Sequence, residues 1–110
     1  MSDKQFIETT KYGTHYYSDE AMTVLHREDG PAVERHANAV IGGYKAWYIN
    51  GEYHREDGPA IEWANGDTSW YLNGKLHREG GPALEWNNGD KEWYIHGTLM
   101  LRTLAGDVKL

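Results

Sequence analysis

The chain contains no cysteine, which excludes disulfide bonds and thiolate chemistry. No apolar run reaches the roughly 18 residues that a membrane-spanning helix needs, and the opening stretch, MSDKQFIETTKYG, has no hydrophobic signal region. The formal net charge of −6 argues against nonspecific binding to nucleic acids or anionic lipids. We therefore expect a soluble, cytoplasmic protein whose partners include neither nucleic acid nor membrane.

The usual core residues are also scarce. Ile, Leu, Val and Phe together make up 18 of the 110 residues, a fraction that on its own is typical of disorder. Five Trp and eight Tyr supply an alternative stock of core side chains. A chain of this length can bury roughly two-thirds of its unfolded surface, so we predict one folded domain over 1–110.

The most informative feature of the sequence is an internal repeat. LHREDGPAVE, YHREDGPAIE and LHREGGPALE begin at 25, 53 and 76, and WYING, WYLNG and WYIHG begin at 47, 70 and 93. The predicted units are a degenerate N-terminal half unit at 12–25, repeats of about 26–53, 54–76 and 77–100, and a C-terminal cap at 101–110. The first repeat is longer by five residues, which we assign to a loop at 39–45.

Turn dipeptides separate the repeated segments. Asn-Gly occurs at 50–51, 65–66, 73–74 and 88–89, and Asp-Gly, Gly-Gly or His-Gly fills the other turn positions; such dipeptides are typical of two-residue β-hairpin loops. If every turn has two loop residues, one row of facing side chains results: Trp47, His54, Ile61, Trp70, His77, Leu84, Trp93 and Met100. This predicts an all-β fold, a twisted antiparallel meander of about ten short strands built from ~23-residue hairpin repeats. One face would be centred on Trp, and the other would mix Tyr, Arg and Glu.

The repeated unit, WY-x-NGK-x-HREDGPA-x-EW-x-NGD, resembles the MORN-repeat class over roughly 25–100. The usual MORN pattern has Gly after the His, whereas Arg27, Arg55 and Arg78 follow it here. The HREDGPA form looks more like variant repeats of phage and large DNA virus proteins. The resemblance implies a rigid β scaffold that binds proteins or dimerises.

The repeated His-Arg-Glu-Asp motif is the main chemical candidate. His26, His54 and His77 have the chemistry of metal ligands or general bases, but strand spacing would set them roughly 10–20 Å apart. Met100 occupies the fourth His position, which favours a packing role. The arginines either pair with the acidic turn residues or form an anion site. We expect no catalytic residue, no metal and no cofactor.

The aromatic and arginine side chains of the more polar face form our candidate protein-binding surface, because Tyr and Arg are enriched at binding hot spots. Its residues are Tyr48, Arg55, Tyr71, Arg78 and Tyr94. A second copy of the chain, giving a homodimer, or another protein could cover the Trp face. The predicted function is a non-enzymatic protein-binding module, in the narrower hypothesis a phage or viral accessory protein that inhibits a host or bacterial defence factor. The alternatives are a small-ligand-binding protein or small enzyme that uses the His-Arg-Glu-Asp motif, and a structural spacer.

Overall fold

The computed structural model describes residues 5–37 and 42–106. Within these residues there is no helix, and thirteen strands pair antiparallel, which confirms the predicted all-β meander. The thirteen strands are more numerous than the ten or so expected, and they are shorter, since several have only two residues. They are β1 (Phe6–Thr10), β2 (Gly13–Tyr17), β3 (Val33–Arg35), β4 (Tyr44–Ala46), β5 (Tyr48–Ile49), β6 (Glu52–Tyr53), β7 (Ile61–Trp63), β8 (Thr68–Ser69), β9 (Tyr71–Leu72), β10 (Lys75–Leu76), β11 (Leu84–Glu85), β12 (Lys91–Ile95) and β13 (Thr98–Thr103).

Nine of these strands form one sheet, in the order β1-β2-β3-β4-β7-β8-β11-β12-β13. The pairs β5–β6 and β9–β10 are separate two-stranded hairpins. Each hairpin is inserted between two strands of the main sheet, so β4 pairs with β7, and β8 with β11. In the last unit the hairpin remains part of the main sheet, as the adjoining ends of β12 and β13.

Three turns have the two-residue loop that the sequence predicts. Both loop residues have positive φ at Asn50-Gly51 (50° and 80°), Asn73-Gly74 (50° and 79°) and His96-Gly97 (47° and 85°). This is the type I′ turn, whose twist matches that of the flanking strands. The resulting register places Trp47 opposite His54, as predicted, and the His54 N–H donates to the Trp47 carbonyl at 3.0 Å.

The other two Asn-Gly dipeptides form longer loops than predicted. At 65–66 only Gly66 has positive φ (99°), and the Trp63 N–H donates to the Asp67 carbonyl at 3.0 Å, so the loop has three residues. Ile61 consequently pairs with Ser69 rather than with Trp70. A shift of one residue exchanges the two faces of a strand, so the predicted single row through Ile61 and Trp70 is wrong.

The predicted hairpin loops at 29–30, 57–58 and 80–81 do not form. Ile61 was expected to face His54 across 57–58, but it pairs with Ala46 on one side and with Ser69 on the other. The backbone from 54 to 60 carries no strand. These loops are larger because each of them encloses an arginine side chain, as described below.

The last strand crosses the predicted boundary of the C-terminal cap, because β13 continues to Thr103. A bulge pairs Trp93 with Leu101 and Tyr94 with Leu99. Met100 is therefore the extra residue, and the predicted Trp93–Met100 pair is wrong. Residues 39–41 of the predicted longer loop and 107–110 of the cap lie outside the described residues, while Tyr44 and Lys45 of that loop belong to β4.

The buried core is thin and contains small side chains. Val33, Ala46 and Ile61 form its buried centre. The alanines of the three GPA segments, Ala32, Ala60 and Ala83, are fully buried. The molecule measures 56 × 35 × 18 Å, and its radius of gyration of 15.7 Å exceeds the ~13 Å typical of a compact chain of this length. Much of the polar surface of each repeat is consequently accessible.

Candidate functional site

The arginine of each HRE segment stacks on an aromatic ring. The guanidinium carbon lies 3.8 to 4.0 Å from the ring centroid in all three copies. The pairs are Arg27 on Tyr16, Arg55 on Trp47, and Arg78 on Trp70. Each arginine side chain is only 21 to 27% exposed. Arg55 and Arg78 thus lie on the same side of the sheet as the tryptophans on which they stack, so the predicted separation of arginine and tryptophan onto opposite faces is wrong.

The same guanidinium groups hold the loop that follows them. Arg55 donates from Nη1 to the Pro59 carbonyl and to the Glu62 carboxylate, both at 3.1 Å, and from Nε to Asp57 at 3.3 Å. Arg27 and Arg78 repeat the bond to the proline carbonyl at 3.2 and 3.1 Å. Each guanidinium therefore donates to a backbone carbonyl and to at least one carboxylate of its own repeat. These bonds stabilise the loop and occupy donors that an anionic ligand would need.

A glycine lies against each arginine. A Cβ atom on Gly58 would lie 2.7 Å from Cζ of Arg55, and one on Gly81 would lie 2.9 Å from Cζ of Arg78. Gly80, which replaces Asp in the third copy, has no atom within 4 Å of its added Cβ. The glycine of GPA therefore packs closely on the guanidinium, which a side chain at this position would have to displace, and the neighbouring position is open.

The repeated histidines fasten one repeat to the hairpin of the next. Nδ1 of His26, His54 and His77 accepts the backbone N–H of the first turn residue, at 2.9, 3.0 and 2.8 Å. The donors are Asn50, Asn73 and His96. On the opposite side of each ring, Nε2 lies 3.2 to 3.5 Å from the glutamate two residues later. The Nδ1 lone pair is thus engaged by the backbone in every copy.

These contacts limit the chemistry open to the histidines. A general base or a metal ligand needs a free lone pair on a ring nitrogen, and Nδ1 has none to offer. Within 5–37 and 42–106, no three His, Asp or Glu side chains converge in a geometry that could hold a metal ion. No helix in that part of the chain is long and apolar enough to cross a bilayer.

The tyrosines of the predicted surface pack toward the core. Tyr48 and Tyr71 are half-buried against Val33, Ala46 and Ile61, and Tyr53 stacks between them, with ring centroids 4.6 and 4.9 Å apart. Burial raises the pKa of both the Tyr48 and the Tyr71 hydroxyl. Their rings stabilise the core, and only part of each ring surface is exposed for contact with a partner.

Tyr94 has a different environment near the edge of the sheet. Its hydroxyl donates to the Glu92 carboxylate at 2.8 Å, and this hydrogen bond raises its pKa. Glu92 also accepts from Nε of Arg102 at 2.6 Å. The five predicted binding residues therefore fall into three settings: a tyrosine stack, two largely covered arginines, and a tyrosine on the strand next to the sheet edge.

The most exposed charged groups of the repeats are carboxylates. In the three loops the acidic side chains are 68 to 91% exposed, and we call this set the acidic ridge. It consists of Glu28, Asp29, Glu56, Asp57 and Glu79. The sequence predicts that these residues pair with the arginines at the turns, and the regular recurrence of the HRE segment was the signal that their carboxylates would also recur along the molecule.

Open grooves separate successive loops of the ridge. The first, of about 840 Å³, lies between 27–30 and 54–57, and Trp47 and Ile49 also line it. The second, of about 580 Å³, lies between 54–56 and 77–80, with Trp70 and Leu72 in equivalent positions. Each groove thus combines carboxylates with an arginine from each of its two loops, at least one histidine, and an aromatic and an aliphatic side chain.

Comparison with known proteins adds no relative: no protein-family model, no curated protein and no solved structure matches this chain. The MORN-like repeat thus remains a prediction that rests on the sequence motif.

Proposed function

We propose that the chain is a non-enzymatic protein-binding module whose acidic ridge meets a basic surface of its partner. The observation that carries the proposal is the contrast within each loop. The carboxylates of the ridge are 68 to 91% exposed, whereas the arginines of the same loops are 21 to 27% exposed. The most exposed charged groups of these loops are therefore negative, in line with the net charge of −6.

The grooves add a second element to this surface. A lysine or arginine of a partner can place its aliphatic stem near Ile49 or Leu72 while its charged head meets the carboxylates. Because the two grooves have equivalent linings, a partner with basic side chains at regular intervals fits best. Electrostatic attraction of this kind mainly raises the association rate and depends strongly on salt.

The repeat also bears on the choice between binding and catalysis. Catalysis normally needs one asymmetric set of groups, whereas here the same side chains recur in each copy. The Nδ1 atoms that a His-based enzyme would use accept backbone N–H groups at 2.8 to 3.0 Å. Both points favour a binding module over the alternative of a small enzyme.

Within this proposal the five residues first assigned to binding take a different part. Arg55 and Arg78 support the loops that carry the ridge, and Tyr48 and Tyr71 support the hairpins. Tyr94 lies on β12, the strand next to the sheet edge. We assign partner contact to the ridge and to the grooves, whose lining includes Arg55 and Arg78.

The identity of the partner is a narrower proposal. The resemblance to variant repeats of phage and large DNA virus proteins favours a viral accessory protein that inhibits a host or bacterial defence factor. An acidic protein can do so by occupying a basic cleft that otherwise binds nucleic acid. This step rests on the resemblance alone.

Affinity capture tests the proposal. The full chain, immobilised, is used to capture proteins from an extract of its native host, and each protein identified by mass spectrometry is purified and tested for direct binding at two salt concentrations. We expect a protein with a basic surface whose association slows as salt rises. Capture of an acidic protein, or association that is independent of salt, would contradict the assignment to the ridge.

A further inference from the structure

The last unit of the array has lost the side chains that hold a following repeat. Trp47 and Trp70 are each followed after eight residues by the arginine that stacks on them, whereas Leu101 takes that place after Trp93. The preceding position, occupied by His54 and His77 in the earlier units, is Met100. A methionine cannot offer the ring nitrogen that accepts the turn of the next hairpin. The surface that another repeat would cover is left uncovered here.

An apolar patch results at this edge of the sheet. β13 is the final strand in the order of the main sheet, and Leu99, Met100 and Leu101 are 43, 62 and 53% exposed. Leu104, just beyond the strand, is 49% exposed. Contiguous exposed apolar side chains on an edge strand typically mark a surface that pairs with another chain.

The patch differs from the rest of the molecule in its charge. From 95 to 106 the only charged side chain is Arg102, and it is paired with Glu92 at 2.6 Å. Elsewhere the chain carries the exposed carboxylates of a protein with net charge −6. Two identical acidic molecules repel each other over most of their surface, so a neutral apolar edge is where a second copy can approach.

We propose that two copies of the chain associate through this edge, β13 against β13, about a two-fold axis near Met100 and Leu101. In a two-fold interface the same patch meets itself. An axis between these two residues sets Met100 opposite Leu101 of the second copy, and Leu99 opposite Arg102 of the second copy. No like charges then face each other.

The opposite edge of the sheet does not offer the same match. β1 has Glu8 at its centre, so two copies paired about that residue would oppose two carboxylates, which is unfavourable. The bulge at Met100 interrupts a regular backbone ladder between the copies. The interface therefore depends on the apolar side chains and forms a dimer that dissociates at low concentration.

Sedimentation velocity of the full chain, from micromolar to near-millimolar concentration, tests the proposal. We expect a monomer–dimer equilibrium. Met100→Glu, a change at a well-exposed position, weakens dimerisation by about tenfold or more, which corresponds to ~1.4 kcal/mol or more. The control is Ile7→Glu on the opposite edge, at 50% exposure, which leaves dimerisation unchanged.

A mixing experiment separates this arrangement from others. Met100→Glu and Met100→Lys should each dimerise more weakly alone than the unchanged chain and should form a tighter mixed dimer when combined, because the two side chains meet near the axis. A monomer at every concentration would overturn the proposal, as would polymers larger than a dimer. Loss of the dimer in Ile7→Glu but not in Met100→Glu would place the interface at the other edge and overturn it equally.

Discussion

Nδ1 of His77 accepts a hydrogen bond of 2.8 Å from the backbone N–H of His96, nineteen residues further along the chain. The rings of the two residues also stack, with centroids 4.2 Å apart. The preceding copies make the same bond with an asparagine as donor. A histidine of one repeat therefore fixes the hairpin turn of the next, and this contact joins the repeats in series.

The first prediction concerns this contact. An asparagine at 77 places its side-chain oxygen close to the position of Nδ1, whereas a glutamine places its amide near Nε2. We expect His77→Gln to lower the free energy of unfolding by about 1–3 kcal/mol, the range for a buried donor left without its acceptor, and His77→Asn to lower it less. Urea unfolding measures both. Equal losses would mean that the ring itself, not the acceptor at Nδ1, stabilises the turn.

The second prediction uses two adjacent glycines. Gly81→Ala drives a methyl group against the Arg78 guanidinium, which its bond to the Pro82 carbonyl holds in place. We expect a loss of about 1–3 kcal/mol, typical of overpacking. Gly80→Ala, where space is open and φ is not positive, should be neutral or should stabilise by up to about 1 kcal/mol.

A change at Gly80 also tests the Arg–Asp pair. Gly80→Asp restores the residue that bonds to Nε of the arginine in the other copies, at 3.1 and 3.3 Å. We expect a gain of no more than about 1 kcal/mol that disappears at high salt, because the pair is exposed. If Gly81→Ala and Gly80→Ala cost the same, the guanidinium does not pack as described.

The third prediction concerns alkaline pH. The pKa values of Tyr48 and Tyr71 are raised by burial and that of Tyr94 by its hydrogen bond to Glu92, all from an ordinary value of 10.0. A group whose pKa is higher in the folded state stabilises the fold below its unfolded pKa, and this stabilisation is lost as pH rises further. Stability should therefore fall above about pH 10.

Tyrosinate absorbance followed through an alkaline titration checks this expectation. We expect a fraction of the tyrosines to ionise only as the fold is lost, and Tyr71→Phe should reduce that fraction. Ionisation of all tyrosines near their ordinary pKa while the fold persists would show that the stack of Tyr48, Tyr53 and Tyr71 is open to water.

Local turn chemistry explains what the sequence could and could not predict of the fold. The Asn-Gly dipeptide alone predicted the two-residue turns at 50–51 and 73–74. It also predicted that Trp47 and His54 lie opposite each other. The same dipeptide at 65–66 forms a three-residue loop. There Asp67 binds the Asn65 side chain through its N–H and the Asn87 N–H through its carboxylate, and the second contact depends on the neighbouring repeat.

The candidate site was harder to predict than the fold. The spacing of eight residues from Trp47 to Arg55 and from Trp70 to Arg78 was present in the sequence. This spacing places the arginine on the tryptophan only because the following loop folds back over the guanidinium. A two-residue turn at Asp57-Gly58, as the sequence predicts, would leave no such loop. Once the arginines are covered, the neighbouring carboxylates become the exposed groups. Composition shows that Tyr and Arg are abundant, but it does not show which of these side chains are covered by packing and hydrogen bonding within the fold.

The acidic ridge is the surface that we propose binds the partner protein. The most direct test of this claim is the binding of the captured partner to two variants of equal charge. One carries Glu28→Gln, Glu56→Gln and Glu79→Gln on the ridge, and the other carries Glu8→Gln, Glu20→Gln and Glu52→Gln at exposed positions elsewhere. We predict that the ridge variant binds at least about tenfold more weakly, ~1.4 kcal/mol, through slower association, while the control variant binds almost as the unchanged chain does. Equal binding by the two variants would contradict the claim.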